Sequence, residues 1–217
     1  MKYIFFDVDG TIIDNSVGIY AGLDYAINKL NLRQVTPEEK RSFIGPPLLD
    51  NFARLFAMDP EESQRAVDVY REYYFDKGYL EYRVYPGVEE LLKQLDKEGY
   101  ELYTASSKGE IMVRKILEDA GISKYFKNIC GATLDGTRAT KEDVLNYAIG
   151  DRDKAQSLII GDRDHDVIGA KAVGIKSIGI TWGGFSEREE LEQAGADQIV
   201  DLPEEILPAI LLLNHDA

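Results

Sequence analysis

The chain is short of nearly everything that would tie it to an oxidising compartment, a nucleic acid or a bilayer. It has one cysteine, Cys130, so neither a disulfide framework nor a cysteine metal site can be built. Set within Ile129-Cys130-Gly131, that residue reads as part of a core. Lysine and arginine number 25 against 39 aspartates and glutamates, a formal net charge of -14. No basic cluster interrupts this surplus, which excludes a surface made for nucleic-acid polymers or anionic membranes. An anionic substrate would therefore need cations placed locally. No apolar run reaches membrane-spanning length, and the N-terminal one is too short, and turns acidic too soon, for a signal peptide. A reducing, cytoplasmic home is the expectation. There is no internal repeat and no low-complexity segment. What is present is 217 residues of ordinary apolar and charged content, enough for one large core or for a core carrying a smaller insertion.

The most informative stretch is Tyr3-Ile4-Phe5-Phe6-Asp7-Val8-Asp9-Gly10-Thr11, an apolar run that ends in two carboxylates and a glycine. The run predicts a short strand buried on both faces. Alternation along a strand puts Asp7 and Asp9 on one side of its end. Two carboxylates held that close repel each other and lose hydration, so a cation or a shared proton is needed. Asp9-Gly10 also fits a two-residue hairpin turn between Tyr3–Val8 and Thr11–Ile13. A helix-loop-helix calcium loop is excluded, because the required glycine and glutamate positions hold Ile12 and Gly18. A merely solvated acidic loop leaves the apolar run before it unexplained.

Downstream, Asn15-Ser16 can cap a helix carrying Ile19, Leu23, Ile27 and Leu30, with Asn31 as its stop. Thr36-Pro37-Glu38-Glu39 and Asp59-Pro60-Glu61-Glu62 each spell a helix start with proline at the first helical position. Gly45-Pro46-Pro47 interrupts the first of these, and Leu48 to Phe56 carries a further apolar stripe. Residues 16 to 78 thus read as helices only. Past Tyr85-Pro86-Gly87 the pattern alternates. Helices are expected at 88–95, 111–120, 141–149 and 167–173, with further ones opening at Ser186 and Pro203. Strands are expected at 101–106, 128–131, 158–162, 175–181 and 198–200. Alternation of this kind implies parallel strands joined by right-handed crossovers. The expected fold is α/β, a doubly wound parallel sheet with a Rossmann-like core (1–14 and 83–217) and a helical cap (15–82) inserted after the first strand.

In such sheets ligands bind at the carboxyl ends of the strands, near the point where strand order reverses. Three ends carry polar chemistry: Asp7 and Asp9; Ser106, Ser107 and Lys108; and Asp162 within Gly161-Asp162-Arg163-Asp164-His165-Asp166. Converging carboxylates suit Mg²⁺, which keeps several waters and takes one or two carboxylates plus substrate phosphate. Asp162 and Asp166 are spaced to share one side if the turn between them enters a helix. Lys141 sits at an expected helix start, where the macrodipole disfavours a cation, so an anion nearby would help explain it.

Together, Asp7-Val8-Asp9-Gly10-Thr11, the serine at Ser106, the later Lys141 and Gly161-Asp162-x-x-x-Asp166 resemble the four motifs of the haloacid dehalogenase superfamily of phosphohydrolases. Phe43-Ile44-Gly45-Pro46-Pro47, Tyr85-Pro86-Gly87-Val88 and the run from Asp135 to Lys141 look like its phosphoglycolate phosphatase and 5'-nucleotidase-like branch. That branch often has threonine-asparagine-lysine where this chain has Ser106-Ser107-Lys108. The resemblance implies Asp7 as nucleophile, Asp9 as acid and base, and Mg²⁺ held by Asp7, Asp162 and the Asp9 carbonyl. Ser106 and Lys141 would grip the phosphoryl oxygens, beside Ser107. Thr11 would fix the loop, and Asp166 would orient a metal-bound water or Lys141. Substrate choice would lie in Arg41, Phe43, Gly45 and Pro46 of a cap that closes over a small phosphorylated metabolite. A sugar-phosphate mutase on the same fold and a phospho-accepting signalling receiver are the competing readings, although receivers are shorter and lack the insertion.

Overall fold

The computed structural model describes residues 1–44, 48–133 and 135–215, and the chain divides into two compact units, Met1–Asp14 with Val84–Ala217, and Asn15–Arg83. The first element, β1 (Tyr3–Phe6), is buried along nearly its whole length, and β2 (Ile13–Asp14) ends the first segment. The α-helices among the described residues of 15–82 are α1 (Ser16–Lys29), α2 (Pro37–Arg41), α3 (Leu48–Phe56) and α4 (Pro60–Asp76). Thr36 and Asp59 each cap their helix in a reciprocal capping box with Glu39 and Glu62, as the sequence predicts. Asn15 does not cap α1 with its side chain, but Asn31 adopts φ 51° just past that helix, the left-handed conformation asparagine tolerates in a stop. Phe43 packs edge-to-face on Phe52 and tilted against Tyr70 in the interior of this unit, at ring-centroid distances of 5.2 and 6.1 Å.

The chain re-enters the first unit at β3 (Arg83–Val84) and continues through α5 (Val88–Lys97), β4 (Glu101–Thr104), β5 (Ser106–Gly109) and α6 (Glu110–Asp119). Next come β6 (Phe126–Asn128), β7 (Gly131–Ala132), α7 (Lys141–Ile149), β8 (Ser157–Gly161), α8 (Asp164–Val173) and β9 (Lys176–Ile180). The last elements are α9 (Arg188–Ala194), β10 (Gln198–Val200) and α10 (Ile206–His215). Six strands form one parallel sheet in the order β10-β9-β8-β1-β4-β6. Both β1 and β8 are apolar and buried, as strands with both faces covered must be. Strand order reverses at β1, so the crevice beyond its carboxyl end is where a ligand belongs.

Three expectations change, the first being the strand at 128–131, whose ends fall in β6 and β7 with Ile129 and Cys130 in neither. The strand anticipated at 101–106 stops at Thr104, and Ser106–Gly109 pairs instead with Gly131–Ala132 in a separate two-stranded sheet. The Thr104 hydroxyl makes the break: it donates to the Cys130 carbonyl and accepts from the Cys130 N–H, both at 2.8 Å, tying β4 to the point where β6 also ends. The Asp9-Gly10 hairpin does not form, because β1 pairs in parallel with β4 and β8 on its two sides. No helix among the described residues is long and apolar enough to cross a membrane.

Cys130 lies with Phe5, Tyr103, Val144 and Ile159 in the core. Burial, with the Glu110 charge adding to it, pushes its thiol up to about 11. We expect Ellman's reagent at about pH 8 to leave the folded protein unmodified and to titrate the thiol once denaturant is added. Rapid labelling of the native protein would contradict this packing.

Candidate active site

The site begins where β1 runs out. The Asp7 N–H still donates to the Ile160 carbonyl at 2.9 Å, holding Asp7 to the end of β8. Beyond it the chain curls back, with the N–H groups of Ile12 and Ile13 on the Val8 carbonyl and that of Gly10 on Ile13. Gly10 has φ 85°, and a Cβ built there would lie 2.2 Å from Asp162 Oδ2. Only glycine meets both the conformation and the space. That close approach brings the first acidic loop against the last.

Lys141 is the first residue of α7, behind a Thr140–Asp143 capping box. Its side chain leaves the helix and is almost fully buried, with Nζ donating to Asp7 Oδ1 and to the Ala105 carbonyl, each at 2.7 Å. Asp166 Oδ1 is a further 2.7 Å ion-pair partner, but it accepts no directed hydrogen bond. The anion expected near this helix-start lysine is thus a pair of carboxylates. Gly161 and Gly169 make room: a Cβ on the first would meet Asp166 Oδ2 at 2.3 Å, and one on the second the Lys141 Cγ at 2.8 Å. Asp162 precedes α8 rather than sharing a helical face with Asp166, whose Oδ2 accepts from the Arg163 N–H at 3.1 Å.

Asp7, Asp162 and Asp166 each offer an oxygen within 4.8 Å of the others, all buried. Burial is the largest influence on Asp7 and raises its pKa; Lys141 opposes it, and Asp166 and Asp9 add to it. Asp162 is raised well above the usual carboxylate range, first by burial and then by the Asp7 and Asp166 charges. For Asp166 burial pushes up too, but Lys141 and His165 outweigh it and the group ends below its ordinary value. Lys141, despite burial, is raised by Asp166 and Asp7 and stays charged. Three carboxylates against one ammonium leave two negative charges uncompensated. A hard divalent cation with oxygen ligands fits that deficit, and Mg²⁺ is such a cation. The buried Asp9 Oδ1, which has no hydrogen-bond partner, points the same way.

Around this cluster the other sequence candidates take different places. Asp9 Oδ2 pairs with Lys108 Nζ at 2.6 Å, and the lysine side chain is 11% exposed. This pairing was not anticipated; the only signal in the chain was Lys108 lying two positions after Ser106. Thr11 is buried, its hydroxyl 3.4 Å from Asp162 Oδ1. Ser106 is buried with Oγ accepting from the Lys108 N–H at 3.2 Å, whereas Ser107 is exposed. His165 sits on the cluster's edge, 3.9 Å from Asp166 Oδ1. In the helical unit, Arg41 is exposed at the end of α2. Phe43 is corrected from a substrate contact to a core residue, since 1% of it is exposed and its ring packs on Phe52 and Tyr70. Gly45 and Pro46 lie outside the described residues.

Residues 4–180 match the family model described as haloacid dehalogenase-like hydrolase. A 5'-nucleotidase of Pseudomonas aeruginosa is 37% identical over 86% of this chain and 85% of its own length. The tyrosine-protein kinase PtkA of Mycobacterium tuberculosis is 36% identical over 84% of this chain and 62% of its own. A phosphoglycolate phosphatase of Vibrio parahaemolyticus is 26% identical over 97% and 96%. Among solved structures, a predicted phosphatase from Clostridium acetobutylicum superposes with a TM-score of 0.88 at 39% identity, covering 97% of this chain and 98% of that one. With three strand-end motifs and the helix-start Lys141 converging, and a family match over most of its length, the chain belongs to the haloacid dehalogenase-like hydrolase family.

Proposed function

We propose that the chain is a Mg²⁺-dependent phosphomonoesterase acting on a small phosphorylated metabolite, a nucleoside 5'-monophosphate or phosphoglycolate, through phosphorylation of Asp7. The observation that carries this reading is Asp7 locked at a sheet's switch point by Lys141 beside two further buried carboxylates. The named activities of the 5'-nucleotidase and phosphoglycolate phosphatase relatives support the substrate class.

Asp7 acts as nucleophile: its carboxylate oxygen forms a bond to phosphorus while the ester P–O bond breaks. Asp9 gives its proton to the departing ester oxygen, then takes one from the water whose oxygen attacks the phosphoryl-Asp7, releasing phosphate and the free carboxylate. Lys108, on Asp9 Oδ2, holds that side chain in place. Lys141 fixes the Asp7 carboxylate through Oδ1 and sets a positive charge where phosphoryl oxygens gather, next to the Ser106 hydroxyl. Asp7, Asp162, Asp166 and the Asp9 carbonyl would hold Mg²⁺, which when bound neutralises phosphate charge and keeps Asp7 ionised. Thr11 acts as a positioning residue on Asp162, and Asp166 also anchors the Lys141 ammonium.

Phosphate release from nucleoside 5'-monophosphates, phosphoglycolate, sugar phosphates and phosphotyrosine, with and without EDTA, tests this reading. Turnover should require Mg²⁺, Asp7→Asn should lower kcat by more than about 10³-fold, and Asp9→Asn by about 10² to 10⁴-fold. Wild-type turnover by Asp7→Asn would refute the nucleophile, and isomerised sugar phosphate in place of free phosphate would indicate a mutase. Gly10→Ala combines a left-handed φ with a collision against Asp162, so a stability loss of about 1–3 kcal/mol and weakened Mg²⁺ binding are expected in denaturant and calorimetric titrations.

The raised pKa values of Asp7 and Asp162 also fix a pH dependence. A carboxyl whose folded-state pKa lies above its unfolded value contributes stability at low pH that is lost as pH rises through the folded pKa. Mg²⁺ competes with those protons, so the rise in Tm on adding Mg²⁺ should grow from about pH 5 to about pH 8. A Tm increment independent of pH would count against the cation displacing protons from this cluster.

A further inference from the structure

We propose that the segment following β9, residues 182–190, is a positioning element that sets the spacing of the acidic cluster and thereby its affinity for a divalent cation. This deepens the metal reading above and rests on it. Trp182 Nε1, a group that can only donate, reaches the Thr11 carbonyl at 3.0 Å across 171 positions of sequence. Gly183 presses on the same loop: a Cβ there would lie 2.2 Å from the Gly10 carbonyl oxygen, so the backbones touch only because no side chain intervenes. The Gly183 carbonyl in turn accepts from the Tyr85 hydroxyl at 3.4 Å.

The other end of the segment grips the last acidic loop. Ser186 has the sequence of a helix cap, yet α9 starts later, at Arg188, and the Ser186 hydroxyl donates instead to the Asp162 carbonyl. Glu190 Oε1 receives Arg163 Nε at 3.1 Å, the Asp164 N–H at 3.3 Å and the Ser186 hydroxyl at 3.4 Å. A serine diverted from capping and a glutamate shared by two donors of the acidic loop, Arg163 Nε and the Asp164 N–H, are more than a loop resting on a core needs. One segment thus holds backbone groups of both the loop that carries Asp7 and the turn from Asp162 into α8, whose first turn carries Asp166. Since these carboxylates repel, something outside them must fix how far apart they stay when no cation is bound. Outer-layer contacts of this kind commonly change metal affinity about 10- to 100-fold when removed.

The test is calorimetric titration with Mg²⁺ alone, without substrate, on the wild type, Trp182→Phe and Glu190→Gln, each with its metal-free Tm. Trp182→Phe removes the donor and keeps most of the packing; Ser186→Ala, which loses one hydroxyl, replaces it if the phenylalanine variant does not fold. The expected result is an Mg²⁺ Kd raised about tenfold or more in the folded variants. Because Trp182 is the single tryptophan, wild-type emission should change over the same Mg²⁺ range. Folded variants that bind Mg²⁺ within about twofold of wild type, as a purely packing role requires, overturn the positioning role. A wild type that binds no Mg²⁺ is a different outcome, and it overturns the metal reading together with this one.

Discussion

The structure depends on one buried ammonium. Lys141 Nζ has Asp7 Oδ1, Asp166 Oδ1 and the Ala105 carbonyl each 2.7 Å away. These three oxygens come from the turns after β1 and β4 and from the first turn of α8, and the lysine from the start of α7, so a single charge joins four segments of the core. Desolvating such an ion costs several kcal/mol, repaid only if opposite charges meet it in good geometry. Two carboxylates do so. Without the ammonium, three buried carboxylates within 4.8 Å of one another would hold protons instead, and a protonated Asp7 is no nucleophile.

Much of this was legible in the sequence because it follows from local rules. An apolar run ending in Asp7 has to be a strand end, and alternating strands and helices have to wind into a parallel sheet whose strand ends converge. The placement of Lys141 at a helix start was legible as an anomaly, since the macrodipole disfavours it, and the anomaly asked for an anion. Capping boxes at Thr36 and Asp59 are local too, closing within four residues.

The rest depends on pairings that no window of sequence contains. Lys108 meets Asp9, and Trp182 meets Thr11, only after the sheet has assembled. Ser186 carried a helix-cap signature, and tertiary structure overrode it by offering the Asp162 carbonyl to the same hydroxyl. Phe43 reads from the sequence as a substrate contact, yet its ring goes to the interior of the helical unit, because an aromatic side chain gains more from Phe52 and Tyr70 than from water. The end of β4 moved for a similar reason: Thr104 reads as an ordinary strand residue until its hydroxyl is seen to satisfy both backbone groups of Cys130.

The glycines around the site show why so much charge fits in so little space. At Gly10 a left-handed backbone is involved, but at Gly161, Gly169 and Gly183 the constraint is volume. A methyl group at these positions would stand where Asp166 Oδ2, the Lys141 stem and the Gly10 carbonyl oxygen now are. Removing that volume brings the charges together and keeps water out from between them. Both effects strengthen every electrostatic interaction in the cluster, the repulsions as much as the attractions. A site this dense needs its carboxylates held from outside. Trp182, Ser186 and Glu190 accordingly act on the backbone of the acidic loops, Thr11 acts on the Asp162 carboxylate, and the Asp7 carboxylate is left to Lys141.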